Sequence, residues 1–299
     1  MIGVITNTGF EMFNRYRPHF ETEAPEIRVV TPEMVERPED VSFVFTFRPS
    51  PDAFAPYPNL RAIFSAGAGT DAIMACPSRP EGVPVFRVED DDQALQMAGY
   101  AAFHVHWHHR HMAQYLQQQR ARDWGRELSG LSPSHKHVGI LGFGHMGRAI
   151  AKGLMALGYP VSGYSRSLPQ PPEPGVTHYT EGQLDAFLAQ SDMLVNVLPL
   201  TDETRGLIDA EFLRKLPQGA ALIHMGRGGQ VDQTALVAAL DAGRLCGATL
   251  DVFETEPLPA DDPIWSHPKV VITPHVASIP EAVFVVRGIR DRLRALPDG

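Results

Sequence analysis

Four stretches of this chain hold residues whose types and spacing could do chemistry. In "GFGHMG", Gly142, Gly144 and Gly147 stand in G-x-G-x-x-G spacing. The first glycine of such a set makes a tight strand-to-helix turn, the second lets backbone approach a pyrophosphate, and the third packs helix on strand. The phosphates then rest on N–H groups at the helix N-terminus. "HMGRGGQVD" sets Arg227 among Gly226, Gly228 and Gly229, just past an apolar run, where a guanidinium could grip a carboxylate bidentately. "LDVFETEPLP" offers Asp251, Glu254 and Glu256, and "ITPHVASIP" offers His275. One Arg, one carboxylate and one His at the same end of one sheet, beside a dinucleotide turn, suit ketone reduction. The His would protonate the carbonyl oxygen, the carboxylate would stabilise the imidazolium, and the Arg would hold the substrate and offset developing negative charge.

The cofactor type is read about 20 residues past the glycine turn, where NAD sites carry an acidic residue for the ribose hydroxyls. Here the stretch is "GYSRSLP", with Ser165, Arg166 and Ser167 and no carboxylate. A guanidinium and two hydroxyls would bind a 2′-phosphate by charge-assisted hydrogen bonds, so NADP(H) is favoured, with NAD(H) possible.

The elements that must position these groups follow from the apolar runs. "IGVIT" (2–6), "IRVV" (27–30), "FVFTF" (43–47), "RAIFS" (61–65) and "VPVFRV" (83–88) predict buried strands of a small parallel α/β domain. One long helix is predicted over 93–119, then an irregular arm through "DWGRELSGLSPSHK". From His137 a second alternation begins. "HVGILG", "YPVSGYS", "DMLVNVL", "GAALIHM", "GATLDVF" and "KVVIT" (269–273) predict strands, with helices between them, of a doubly wound sheet. The "PQPPEPG" stretch predicts a surface loop, and a last helix is predicted from about Glu281.

Composition sets outer bounds. The 299 residues suit two domains, and 43% apolar with 20% charged content is ordinary for a globular chain. A net charge of −9 argues against broad nucleic-acid or anionic-membrane binding. Cys76 and Cys246 form no CxxC or finger pattern, which fits a reducing compartment. No signal peptide is read in "MIGVITNTGF" and no run approaches a membrane span, so a cytoplasmic location is expected.

The chain resembles the D-2-hydroxyacid dehydrogenases through nearly its whole length. "SAGAGTD", "RVEDD", "GFGHMG", "GYSRS", "LPLTDETRGLID", "GRGGQVD", "LDVFETEPLP" and "TPHVAS" carry the resemblance. It implies an α/β protein of two domains, a Rossmann-type doubly wound parallel sheet plus a smaller flavodoxin-like α/β substrate domain. The substrate domain would be discontinuous, residues 1–98 and 275–299, around a dinucleotide-binding domain of 99–274. The resemblance implies an active site in the cleft, a homodimer, and reduction of a small 2-oxo acid such as glyoxylate or hydroxypyruvate. Arg227 would hold the substrate carboxylate and carbonyl, His275 would donate the proton, and Glu256 would be its carboxylate partner. The N–H groups of Ala68 and Gly69 would meet the substrate carboxylate, and Phe47 and Arg48 would shape the substrate side. The cofactor set would be Gly142, Gly144, His145, Met146, Gly147, Ser165, Arg166, Ser167, Leu198, Pro199, Met225 and Asp251, with Asp251 on the nicotinamide carboxamide. The family often has Asn three residues before the catalytic Arg. This chain has His224, and it also stops sooner after its last helix than relatives do.

Other readings stay open. The glycine-turn segment is also similar to the opening of β-hydroxyacid dehydrogenases, and some relatives of the fold are cofactor-sensing corepressors. In "HVHWHHRH", His104, His108 and His111 share a helix face at metal-like spacing, but nothing nearby completes a set. A helix-surface or interface role is expected, with no metal. Trp124 sits in the arm, which in relatives can reach a partner subunit's site, and the arginines from Arg287 to Arg294 are expected to form a solvated helix face.

Overall fold

A computed structural model describes residues 1–9, 11–87 and 91–296. The chain divides into two compact units, Met1–Gln93 with Ile279–Gly299, and Ala94–Ser278. His275 belongs to the second unit, a few residues before the chain returns to the first, whereas the sequence boundary had set it in the substrate domain.

The first unit is a five-stranded parallel sheet in the order β2-β1-β3-β4-β5. Its strands are β1 (Ile2–Ile5), β2 (Arg28–Val30), β3 (Val41–Thr46), β4 (Ala62–Ser65) and β5 (Val85–Phe86), with a one-turn helix α2 (Asp71–Met74) between the last two. Near-continuous apolar runs such as "FVF" form these strands because a parallel sheet is covered on both faces. Helix α1 (Phe13–Glu23) buries Tyr16 and Phe20 against Phe43 and Phe45 of β3. Within the "RVEDD" motif, and at the end of the predicted 83–88 strand, Val88, Glu89 and Asp90 lie outside the described residues.

The C-terminal helix packs on the same core through Val285, Val286, Ile289 and Leu293. Its arginines form the expected solvated face, with Arg287, Arg292 and Arg294 exposed, and they also find partners there. Arg287 forms an ion pair with Glu23 at 2.8 Å, Arg290 donates to the Glu23 carbonyl, Arg294 meets Glu26 at 2.6 Å, and Arg292 lies over the Phe86 ring. They clamp the end of α1, where the last helical carbonyls favour positive charge.

The second unit opens with the region predicted as one long helix. It is two, α3 (Asp91–His109) and α4 (Met112–Ala121). They break at His111, which adopts left-handed backbone with φ 54°. The seven-stranded parallel sheet runs β12-β11-β10-β9-β6-β7-β8. Its strands are β6 (Val138–Leu141), β7 (Val161–Tyr164), β8 (Val176–Tyr179), β9 (Met193–Asn196), β10 (Ala220–His224), β11 (Leu245–Leu250) and β12 (Val270–Ile272). The order reverses at β6 and β9, so the turns leaving those strands meet at the switch point where this architecture binds ligands. Strand β8 was not foreseen: "VTHY" is a short edge strand whose mixed residues carry no apolar run.

The histidine-rich face of α3 is buried, which corrects the surface or interface expectation. His104 and His108 both hydrogen-bond the Thr249 hydroxyl of β11, and His109 bridges the Tyr159 hydroxyl and the Gly130 carbonyl. Among the described residues no group of three His, Cys, Asp or Glu could hold a metal. None of the helices among those residues is long and apolar enough to cross a membrane.

Burial pushes His104 and His108 down to about 4. Both are therefore neutral in the fold and protonate near 6.5 once unfolded. Their stabilisation is complete above about pH 6.5 and is lost as pH falls toward 4, at up to about 1.4 kcal/mol per pH unit for each. The urea midpoint should drop between pH 7.5 and pH 5, and the drop should shrink in His108→Phe. An equal drop in that variant would contradict the assignment.

Candidate active site

The glycine turn joins β6 to α5 (His145–Ala156). Gly142 has φ +107°, and a Cβ there would press on the backbone of Val197 and Leu198. A Cβ at Gly147 would stand 2.2 Å from the Gly142 carbonyl oxygen, so only glycine lets α5 sit this close to the strand. Around Gly144 there is open space, and no side chain caps the start of α5. His145 is exposed and Met146 half-buried at that end. An open helix N-terminus reached across a bare glycine fits a pyrophosphate.

Ser165, Arg166 and Ser167 follow β7. The Ser165 hydroxyl donates to the Ser167 carbonyl at 2.7 Å, and Arg166 is exposed. The Glu203 carboxyl lies below its ordinary range because of the Thr201 hydroxyl, its own backbone and the Arg166 charge. Arg166 is thus within electrostatic reach of the loop after β9, which also carries Leu198 and Pro199.

The three chemical turns leave the neighbouring strands β10, β11 and β12. Arg227 follows β10, and its Nη1 donates to the Gly226 carbonyl at 2.8 Å. Glu256 follows β11. Its Oε1 accepts from the Phe253 N–H at 3.1 Å and its Oε2 lies 2.9 Å from His275 Nδ1. Glu254 points to solvent. His275 follows β12 with left-handed backbone, φ 57°, a conformation costing about 1–2 kcal/mol for a residue other than glycine. The cost is offset by Asp251. Its carbonyl accepts the His275 N–H at 2.8 Å, and its carboxylate accepts the Val276 and Ala277 N–H groups and the Thr273 hydroxyl. Tyr100 of α3 extends this chain to Thr273 at 2.5 Å.

Asp251 is 2% exposed, and its carboxylate is taken up by the 273–277 turn. Besides the nicotinamide contact expected for it, Asp251 thus shapes the His275 turn. Met225 is buried beneath the Arg227 turn and donates its N–H to the Asn196 carbonyl.

The first unit holds its own candidate residues at a separate switch point. Asn7, after β1, accepts the N–H groups of Phe47 and Arg48 on its side-chain oxygen at 3.2 and 2.6 Å. Ala68 and Gly69 lie in a turn wrapped on Ser65, whose hydroxyl donates to the Gly69 carbonyl and accepts from the Gly67 N–H. Asn7, Ser65, Tyr100, Asn196, Thr273 and Gln230 were not singled out from sequence. The available signal was a lone polar residue closing an apolar strand, as in "LVN" and "AIFS".

The residues matched with D-isomer specific 2-hydroxyacid dehydrogenase, NAD binding domain, are 103–277. The chain belongs to this family. It is 42% identical over 227 residues to glyoxylate/hydroxypyruvate reductase A of Salmonella typhi, covering 74% of this chain and 72% of that protein. A D-isomer specific 2-hydroxyacid dehydrogenase from Xanthobacter autotrophicus Py2, solved with NADPH and MES, superposes with a TM-score of 0.92 at 34% identity, over 99% of this chain and 94% of that one. An NADPH-dependent glyoxylate/hydroxypyruvate reductase from Sinorhizobium meliloti, solved with NADP and sulfate, gives 0.91 at 31% identity, over 99% and 96%. This dehydrogenase is thus a nicotinamide-dependent oxidoreductase of known fold.

Gly228 couples two of its turns. A Cβ there would lie 1.8 Å from the Phe253 carbonyl carbon. Gly228→Ala must push the Arg227 turn away from the loop bearing Glu256. Its kcat/KM should fall tenfold or more, with cofactor affinity kept. Wild-type kcat/KM in this variant would mean the two turns need not be in register.

Proposed function

We propose that this protein reduces a small 2-oxo acid, glyoxylate or hydroxypyruvate first among them, to the 2-hydroxy acid with NADPH. The observation that carries the reading is the Glu256–His275 pair at 2.9 Å, on turns next to that of Arg227 in the unit bearing the glycine turn. The relatives named for this reaction support the substrate class.

The nicotinamide cofactor supplies the hydride to the carbonyl carbon when bound. Arg227 orients the substrate carboxylate and counters charge growing on the carbonyl oxygen. His275 donates its Nδ1 proton in a hydrogen bond to Glu256, which fixes the ring, and delivers its Nε2 proton to that oxygen. Gly142, Gly144, His145, Met146 and Gly147 form the pyrophosphate cradle, with Leu198, Pro199 and Met225 beside it. Ser165, Arg166 and Ser167 take the 2′-phosphate. In the first unit, the N–H groups of Ala68 and Gly69 and the Phe47 and Arg48 segment form a second substrate-contacting set.

We also infer a homodimer in the cytoplasm. Exposed Leu95, Phe103, Trp124 and Leu128 on α3 and the arm after α4 support a covered apolar face. Unpaired Cys76 and Cys246 support a reducing compartment.

Oxidation of NADPH with glyoxylate, hydroxypyruvate and pyruvate tests the reading. Turnover with NADPH should exceed that with NADH, and Arg166→Ala should narrow the gap. Arg227→Ala and His275→Ala should each lower kcat/KM by at least a hundredfold with folding intact. Full activity in both variants would sink the mechanism. Preference for NADH would sink the role of Arg166.

A further inference from the structure

A buried polar cluster lies directly under the Arg227 turn. It consists of Asn196 at the end of β9, His224 at the end of β10, and Gln230 three residues past Arg227. His224 and Gln230 are 1% and 0% exposed, and Asn196 is fully buried. Every donor and acceptor among them can be assigned from its partner. The Arg227 N–H donates to Gln230 Oε1 at 3.0 Å, so the other end of that amide is Nε2, which donates to the Leu198 and Pro199 carbonyls at 3.2 and 2.9 Å. Gln230 Oε1 also accepts from Asn196 Nδ2 at 2.9 Å, and Asn196 Oδ1 accepts the Leu198 N–H at 3.1 Å. The same Nδ2 lies 3.0 Å from His224 Nδ1, which must therefore be the bare, accepting nitrogen. The proton sits on Nε2, 3.1 Å from the Arg227 carbonyl. Burial holds this ring neutral, pushed down to about 4, which agrees with a single tautomer.

Both backbone groups of Arg227 thus end in this cluster, its N–H on the Gln230 side chain and its carbonyl shared between His224 Nε2 at 3.1 Å and the Gln230 N–H at 3.0 Å. The cluster also grips Leu198 and Pro199. We propose that His224 is a positioning residue, a neutral strut between Asn196 and the Arg227 carbonyl that sets the Arg227 main chain and so its grip on the substrate carboxylate. The proposal rests on the reading of Arg227 under Proposed function. A flat ring with an acceptor on one side and a donor on the other spans the two elements with no rotatable bond between its polar atoms. The side chain it aims is flexible, so a small swing of the turn would be magnified at the guanidinium. A misplacement of about 1 Å at such a group costs on the order of a hundredfold.

The test compares His224→Phe, which keeps the ring and removes both nitrogens, with His224→Gln, which can offer one donor and one acceptor. Steady-state kinetics with glyoxylate and NADPH are paired with calorimetric binding of oxamate, a carboxylate probe that needs no turnover. His224→Phe should raise the glyoxylate KM and weaken oxamate at least tenfold, with NADPH affinity within about threefold of wild type. His224→Gln should recover most of the loss. Should His224→Phe fail to fold, Asn196→Asp, which turns the donor facing Nδ1 into an acceptor, should show the same rise in KM. Wild-type KM and oxamate affinity in the variant that folds would overturn the strut alone, as would His224→Gln being as impaired as His224→Phe. A wild type that neither reduces 2-oxo acids nor binds oxamate would overturn the strut and the proposed function together.

Discussion

The carboxylate of Asp251 is the constraint on which the candidate site depends. It sits at the end of β11, 2% exposed, where an ionised group left without partners would cost several kcal/mol. It accepts three donors, all from the 273–277 turn. That arrangement holds His275 in a left-handed conformation that the residue would not keep alone. The Tyr100 to Thr273 bond ties the same turn to α3, so the pose of the imidazole is set by residues that need not touch substrate.

Around this anchor, three turns on adjacent strands are locked by backbone contacts. The Asp251 N–H bonds the His224 carbonyl, and its own carbonyl bonds the His275 N–H, a ladder across β10, β11 and the turn after β12. Gly228 lets the Arg227 turn touch the Phe253 backbone. Gln230 and Asn196 then connect Arg227 to the loop at the sheet's switch point. Preorganisation of this kind is what a reaction requires when charge develops on a carbonyl oxygen, because the stabilising groups need not move as it forms.

Much of the frame was legible in the sequence because buried parallel strands have a strong signature. "VGIL", "MLVN" and "AALIH" could hardly be anything else between helical segments, and the glycine turn announced its own geometry. What escaped depended on partners distant in the chain. The histidines of α3 resemble a surface cluster until Thr249 and Tyr159 are brought to them. The arginines near the C-terminus are exposed as expected, but their pairing with Glu23 and Glu26 was not legible. The bonds from the Asp251 carboxylate to the turn after β12 were not legible either. In each case the residue type was visible, but the bond that defines its role spans scores of residues. Edge strand β8 and the break at His111 escaped for a local reason: β8 carries no apolar run, and no glycine stands at the break.

On the proposed mechanism the Glu256 and His275 pair delivers the proton that completes reduction. The most direct measurement is single-turnover oxidation of enzyme-bound NADPH by glyoxylate, compared between wild type and Glu256→Gln, with oxamate affinity measured on both. The turnover rate should be lower by about a hundredfold or more in the variant, with oxamate bound as tightly as in wild type. An unchanged rate would show that His275 needs no carboxylate partner and that the pair is not the proton donor.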